Sequence, residues 1–213
     1  MTAAERLPLI RGLLSGLPGP LGNGEMLVWV SEGTAESVPD HVFALIDGAH
    51  EPLRHWGRGG FQEDVPADVP DLMRKLSEID AVKAAEVMTH ITSTTLAYSL
   101  SGRYDQPKAR ELSKALIGLL GPGARWWTNA GWLTLAPARN WNPLTAHSMD
   151  AAMVGFGGGV IVTVLVVDED LSRPSPARPS GALWRGVGLG LRCRQRRGGI
   201  VRALPGLVAC HWP

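Results

Sequence analysis

Cysteine is missing from the first 192 residues of this sequence; the chain has only Cys193 and Cys210. The absence excludes a disulfide-stapled scaffold and a cysteine-ligated zinc site from that part of the chain. A fold without cysteine needs no oxidising compartment, so the sequence predicts a cytoplasmic protein.

Acidic residues are missing from the C-terminal end, since no Asp or Glu follows Asp170. Residues 1–170 carry 13 Lys and Arg against 20 Asp and Glu, a net charge of −7, whereas residues 171–213 carry eight Arg and are net +8. Such an asymmetry is typical of a separate tail. We therefore divide the chain into an acidic globular domain, 1–170, and an Arg/Gly/Pro-rich tail, 171–213, that we expect to be poorly ordered.

The tail has two interpretations. As a basic arm, it would neutralise nucleic-acid phosphates in a salt-dependent way. As an artefact, it would be the out-of-frame translation of a GC-rich gene, because GC-rich codons encode Arg, Gly, Pro and Ala. We favour the second interpretation, and the overall composition is typical of a GC-rich bacterium.

Long hydrophobic runs are also missing. The longest uncharged stretch, 151–167, has 17 residues and four glycines, which is short for a membrane helix. Glu5, Arg6 and Arg11 interrupt any apolar run at the N-terminus, so no signal peptide is indicated. The sequence predicts no membrane association.

The first 80 residues are read mainly as helices. Their apolar spacing predicts a helix over 7–17 with Pro8 in its first turn, a strand over 26–30, a helix from Ser37 to Ile46 closed by Asp47-Gly48, a loop over 48–66, and a helix opened by Pro70-Asp71. In the last helix, Leu72, Leu76 and Ile79 would share one face.

The next two segments differ in how clear their signals are. Residues 81–100 begin with helix-favouring Ala and Met and end with strand-favouring Thr; we favour a helix, ended by Ser101-Gly102. Residues 106–120 are a clear helix, since Asp105 can cap it and Gly121-Pro122 stops it.

The rest of the domain predicts two β-hairpins. The first pairs 125–128 with 132–135, and the second pairs 148–156 with 160–167 across a glycine turn. The run 160–167 lacks polar alternation, which predicts a central strand buried on both faces. The fold class is therefore α+β, with N-terminal helices packed on a C-terminal antiparallel sheet of two hairpins.

A cluster of acids at the end of the last strand is the strongest candidate for chemistry. Asp168 and Asp170 would point to one side of a strand, and with Asp150 and His147 they could hold Mg²⁺ or Mn²⁺. This arrangement would suit a metal-dependent hydrolase. The alternative is a solvated strand end that discourages edge pairing.

Other catalytic and metal motifs are absent. His41, His50 and His55 lack the spacing of zinc ligands, and the sequence contains no HExxH or GxSxG. The glycines at 155–159 lack the Gly-Lys-Ser/Thr ending of a phosphate loop. The sequence therefore favours a protein that is not an enzyme and needs no cofactor.

An aromatic and amide-rich segment is the best candidate for a binding surface. Its members are Trp126, Trp127, Trp132, Arg139, Asn140, Trp141 and Asn142. Trp and Arg dominate recognition surfaces, but the same Trp side chains could instead pack the sheet against the helices.

Three functions follow from these features. The first is a non-catalytic interaction domain whose acidic surface binds a basic protein, as small immunity- or antitoxin-like proteins of similar charge and size do. The second is the metal-dependent hydrolase, and the third is nucleic-acid binding through the tail arginines. The sequence favours the first.

Overall fold

The structure is a computed structural model of the 213-residue chain and describes residues 1–54, 65–130 and 142–169, with no account of the side chains of 48–54. Several predictions therefore lie outside the described residues. They concern the hairpin strand 132–135, the tail 171–213, and the site residues Trp132, Arg139, Asn140, Trp141 and Asp170.

The described residues form five α-helices and six strands around a short 3-10 turn, Ala35–Ser37. In chain order these are α1 (Ala3–Leu14), β1 (Gly19–Leu21), β2 (Gly24–Glu32), α2 (Val38–Arg54), α3 (Val69–Lys75), β3 (Ser77–Ile79), α4 (Ala81–Ser93), α5 (Gln106–Leu120), β4 (Arg125–Thr128), β5 (Met149–Gly157) and β6 (Val160–Asp168). None of these helices combines the length and the hydropathy needed to cross a bilayer.

The strands form one antiparallel sheet in the order β1-β2-β6-β5-β4-β3. The α+β class is confirmed, as is the second predicted hairpin, whose turn uses Gly158 and Gly159 at positive φ. Strand β6 lies between β2 and β5, and all nine of its residues are buried. The absence of polar alternation in β6 therefore reflects burial on both faces.

Helices cover both faces of the sheet. Helices α1, α4 and α5 pack on one face and α2 and α3 on the other, so the side chains of β5 divide between two cores. Ala151 and Met153 enter the first core, and Ala152 and Val154 enter the second. This alternation follows the period of two along a strand.

Strands from the first half of the chain complete the sheet, which differs from the predicted order of helices first and sheet second. Strand β2 pairs with β6 along residues 25–32, and β3 pairs with β4. Strand β4 was expected to pair with 132–135, which lies outside the described residues; within them, β4 has β3 on one side and β5 on the other.

Helices α2, α3 and α4 end at residues other than those predicted. Helix α2 continues through Asp47-Gly48, because an interior glycine costs only about 1 kcal/mol and the helix buries an apolar face. Helix α3 ends at Lys75, so the chain continues into β3 instead of placing Ile79 on a helical face. Residues 81–93 are helical as favoured, but α4 ends at Ser93 because Thr94 is extended.

Among the helices that contain proline, α1 and α5 differ in how well they agree with the prediction from sequence. Asp105 caps α5 and accepts a hydrogen bond from Lys108 N, as predicted. Helix α1 begins earlier than expected, at a capping box between Thr2 and Glu5, which leaves Pro8 inside the helix. Pro8 is exposed, so the Ala4 carbonyl that lacks an amide partner can bind water.

Candidate functional site

Asp150, at the start of β5, is fully buried, and its carboxylate accepts hydrogen bonds from one backbone segment and two side chains. Oδ2 accepts from Leu144 N (2.9 Å), Thr145 N (2.7 Å) and Thr145 Oγ1 (2.8 Å), and Oδ1 accepts from Asn129 Nδ2 (2.6 Å). Burial raises the pKa of Asp150, and these hydrogen bonds oppose the rise. A carboxylate has about four lone-pair sites, so Asp150 is used to fasten the segment before β5.

Asn129 is the partner that sequence reasoning missed. Its Nδ2 also donates to the carbonyl of Asn142 (3.0 Å), and its Oδ1 accepts from Ala152 N (2.7 Å). Asn142 donates in turn to the carbonyl of Lys75 (3.4 Å). Asn142, predicted as a binding residue, therefore lies in a half-buried structural network. The signal in the sequence that could have identified Asn129 is its position as an amide residue directly after a buried strand.

Asp168 lies on the opposite face of the sheet from Asp150. In the β5–β6 register Asp168 is opposite Met149 and Asp150 is opposite Val167, so the two carboxylates point to different cores. Asp168 Oδ2 accepts from Ala97 N and Oδ1 from Glu169 N, both at 2.9 Å. Asp168 therefore fastens the chain that follows α4.

The predicted metal ligands are not brought together. The sheet separates Asp150 from Asp168, and Asp170 lies outside the described residues. Across 1–54, 65–130 and 142–169, no group of three or more His, Cys, Asp or Glu side chains is placed to hold a metal ion. Asp150, Asp168 and His147 therefore form no common group among the described residues, and the metal site stays a prediction.

His147 belongs to a separate polar cluster with Ser148 and Glu169. Its Nδ1 lies 2.7 Å from Glu169 Oε1, and Ser148 Oγ donates to Glu169 Oε2 at 2.9 Å. His147 Nε2 is buried without a hydrogen-bond partner in the described part of the chain. Among those residues Ser148 bonds to Glu169 and to the Asp168 carbonyl, so the serine–histidine bond of nucleophilic catalysis is not formed there.

The two described tryptophans of the predicted binding segment are both core residues. Trp126 is 1% exposed and Trp127 is 5% exposed, and they enter different cores. Trp126 packs over Gly155, where an added Cβ would clash with the indole ring. The Arg125 guanidinium lies 4.9 Å from the ring centroid of Trp127. Packing of the sheet thus accounts for both indoles.

A groove of about 450 Å³ lies between the outer faces of α4 and α5. The side chains that line it include Glu86, His90, Arg110 and Lys114. Burial lowers the pKa of His90. The groove combines charges of both signs, and sequence reasoning missed it because its two helices come together only in the fold.

Charge is divided unequally between the two helical layers. The layer that holds α2 and α3, counted with the 3-10 turn and the cap Asp68 as residues 35–54 and 68–75, contains six Asp and Glu and three Lys and Arg, a net charge of −3. The layer that holds α1, α4 and α5, counted with the N-terminal caps as residues 2–14, 80–93 and 105–120, contains five Asp and Glu and six Lys and Arg, a net charge of +1. Of the two helical layers, the one with α2 and α3 is therefore the acidic one.

Helix α2 presents this acidic character directly. Its apolar face, Val38, Val42 and Ile46, is buried, whereas Asp40 and Asp47, seven residues apart, are exposed. A separation of seven residues places both carboxylates on one side of the helix. We call the exposed side of α2 that carries Asp40 and Asp47 the acidic face.

Comparisons of this chain with protein-family models, with curated proteins and with solved structures gave no match.

Proposed function

We propose that this protein is a non-catalytic interaction domain that binds a basic protein through its acidic face. The observation that carries the proposal is the division of charge: a net −3 over residues 35–54 and 68–75 against +1 over residues 2–14, 80–93 and 105–120. A partner with a positive surface is attracted more strongly to the acidic side of such a domain than to the other side. The division therefore sets the orientation of the complex.

The acidic face is available for this role. Asp40 and Asp47 are exposed, and within the described residues neither forms an ion pair. By contrast, Asp71 pairs with Arg74 at 3.2 Å and Glu78 pairs with Arg125 at 2.9 Å. Because Asp40 and Asp47 have no ion pair to break, each can bind a Lys or Arg of the partner without losing an existing interaction.

The polar clusters favour binding over catalysis. The carboxylates of Asp150 and Asp168 accept backbone and side-chain hydrogen bonds that fasten local segments. Their oxygens are committed to the fold, so neither acid is placed to act on a substrate. The acidic face, by contrast, presents exposed carboxylates that form no ion pair among the described residues.

The test compares two charge-matched variants in a capture experiment. The immobilised full-length chain is exposed to host extract at low salt, and retained proteins are identified by mass spectrometry. Asp40→Asn with Asp47→Asn removes two charges from the acidic face; Glu86→Gln with Glu111→Gln removes two exposed charges from the other layer.

We expect a basic protein to be retained by the wild type and by the Glu86/Glu111 variant. The Asp40/Asp47 variant should bind it a few-fold to about tenfold more weakly, since an exposed ion pair contributes about 0.2–1 kcal/mol. A high salt concentration should also weaken the complex, because dissolved ions screen the attraction between exposed charges. Equal retention by both variants, or no basic protein retained by the wild type, would refute the proposal.

A further inference from the structure

Strand β2 has an open outer side. Strand β1 pairs only with Gly24, Glu25 and Met26, whereas β2 continues to Glu32. Met26 is the one buried residue of β2, and residues 27–31 are half-buried. Among the described residues no strand pairs with β2 beyond Met26 on this side.

The backbone groups that face outward follow from the register. Gly33 N donates to Gly159 O at 3.0 Å, so odd-numbered residues of β2 bond to β6 and even-numbered residues face away from it. The N–H and C=O groups of Val28, Val30 and Glu32 therefore point to the open side. The contact of Arg11 agrees with this, because its guanidinium donates to Val30 O at 3.0 Å.

The open side of β2 contrasts with the other edge of the sheet. That edge is β3, which has three residues and carries the exposed ion pair between Glu78 and Arg125. Natural sheets commonly keep edge strands short or charged, because a long open edge can pair with another chain. Residues 28–32, with sequence Val-Trp-Val-Ser-Glu, form a longer and more apolar edge.

Charge indicates which kind of strand fits this edge. Glu32, exposed, ends β2, and the exposed Glu36 and Asp40 follow within eight residues. A second copy paired antiparallel about Val30 would place Val28 opposite Glu32 and supply no cation there, whereas a segment with alternating Lys or Arg would bring opposite charge to these carboxylates. Backbone pairing supplies affinity in such complexes, and alternate side chains supply selectivity.

We propose that the basic partner adds an extended, Lys- or Arg-bearing segment to β2 along residues 28–32, as a further strand of the sheet. This inference rests on the proposed function and specifies its mode of binding. Val30 would exchange both of its backbone hydrogen bonds with the incoming strand, and Arg11 would yield or share the Val30 carbonyl. The carboxylates beyond Glu32 would then meet the basic side chains of the segment.

The experiment uses the full chain and a short fluorescent peptide of alternating lysine and valine, capped at both ends, with binding followed by anisotropy. Val30→Pro removes the outward N–H without removing a bond to β6. Val30→Thr is the matched control, since it keeps the N–H and the branched side chain. A second peptide with alternate amides N-methylated removes the same bonds from the other partner, so it needs no protein variant.

We expect Val30→Pro and the N-methylated peptide each to weaken binding about tenfold or more, and Val30→Thr to leave it within about twofold. Equal binding of the peptide to Val30→Pro and wild type would overturn the strand-addition mode, while capture dependent on Asp40 and Asp47 would still support the acidic face. Failure of the wild type to bind the peptide would overturn the inference. So would concentration-dependent dimerisation that Val30→Pro abolishes, because a second copy would then occupy the edge.

Discussion

Asp150 shows how much of this fold depends on a single buried side chain. In Asp150→Asn the new amide must face either the Leu144 and Thr145 donors or the Asn129 donor, because all of them surround the carboxylate. At least one buried N–H then loses its acceptor, at about 1–3 kcal/mol for each. We expect a loss of that order in the free energy of unfolding, measured by urea denaturation.

A surface variant separates this effect from a change of net charge. Glu111→Gln removes one negative charge from an exposed position on α5 and should leave the unfolding free energy within about 0.5 kcal/mol of the wild type. If Asp150→Asn proved as stable as Glu111→Gln, the hydrogen bonds of Asp150 would not be fastening the segment before β5.

Sequence identified the important acids but not their roles. Asp150 and Asp168 were singled out because carboxylates beside a buried strand can bind cations, and both turn out to be buried. Each acid has one remote partner: Asn129 lies 21 residues from Asp150, and Ala97 lies 71 residues from Asp168. Local spacing contains no information on such contacts, so a ligand cluster and two structural fastenings look alike in sequence.

At the scale of elements, the predictions succeeded where the signal was local. Helix α5 has its cap and stop within the segment, and the β5–β6 hairpin has its glycine turn between two apolar runs. They failed where pairing elsewhere decides, as for β3, which forms because β4 lies beside it. Burial also carried α2 beyond a glycine that local rules treat as a stop.

Helix α1 gives a direct test of a local rule. Pro8 lies inside the helix and is exposed, so Pro8→Ala restores an amide donor for the Ala4 carbonyl without disturbing the core. Proline costs about 3 kcal/mol more than alanine in a helix interior, and its rigidity in the unfolded chain returns about 1 kcal/mol. We expect Pro8→Ala to raise the unfolding free energy by roughly 1–2 kcal/mol in urea denaturation.

Pro107 provides the matched control for Pro8. It lies in the first turn of α5, where an amide has no helical acceptor. Pro107→Ala should therefore give no gain, or a small loss from the more flexible unfolded chain. Equal stabilisation by both variants would mean that the interior position of Pro8 is not what costs stability.

At the scale of the whole molecule, the feature that the sequence did not reveal is the arrangement in layers. The sheet between the two layers of helices places β2 beside β6, a pairing between residues 25–32 and 160–167 that no local pattern specifies. Once the layers are known, the charge of the helices separates into an acidic layer with a net charge of −3 and a nearly neutral layer with a net charge of +1. The proposed orientation of the partner depends on this difference in charge between the two layers.

Each helical layer contains a half-buried histidine that should make the stability of the fold depend on pH. His41 on α2 and His90 on α4 are half-buried, and burial lowers the pKa of each below its usual value of about 6.5. As pH falls through 6.5, the unfolded chain binds protons at these histidines before the folded chain does. The free energy of unfolding should therefore be highest above about pH 6.5 and should decrease as the pH falls, until the pH is below the lowered pKa of each histidine.

The measurement is urea unfolding from pH 7.5 downward, comparing the wild type with His41→Gln, His90→Gln and the double variant. Gln at position 41 retains a polar group near Ser31 Oγ, which lies 2.9 Å from His41 Nε2. Each single variant should flatten part of the decline, and the double variant should flatten both parts, because the two sites lie in separate layers and act independently. If the double variant lost as much unfolding free energy as the wild type when the pH falls, groups other than His41 and His90 would cause the pH dependence.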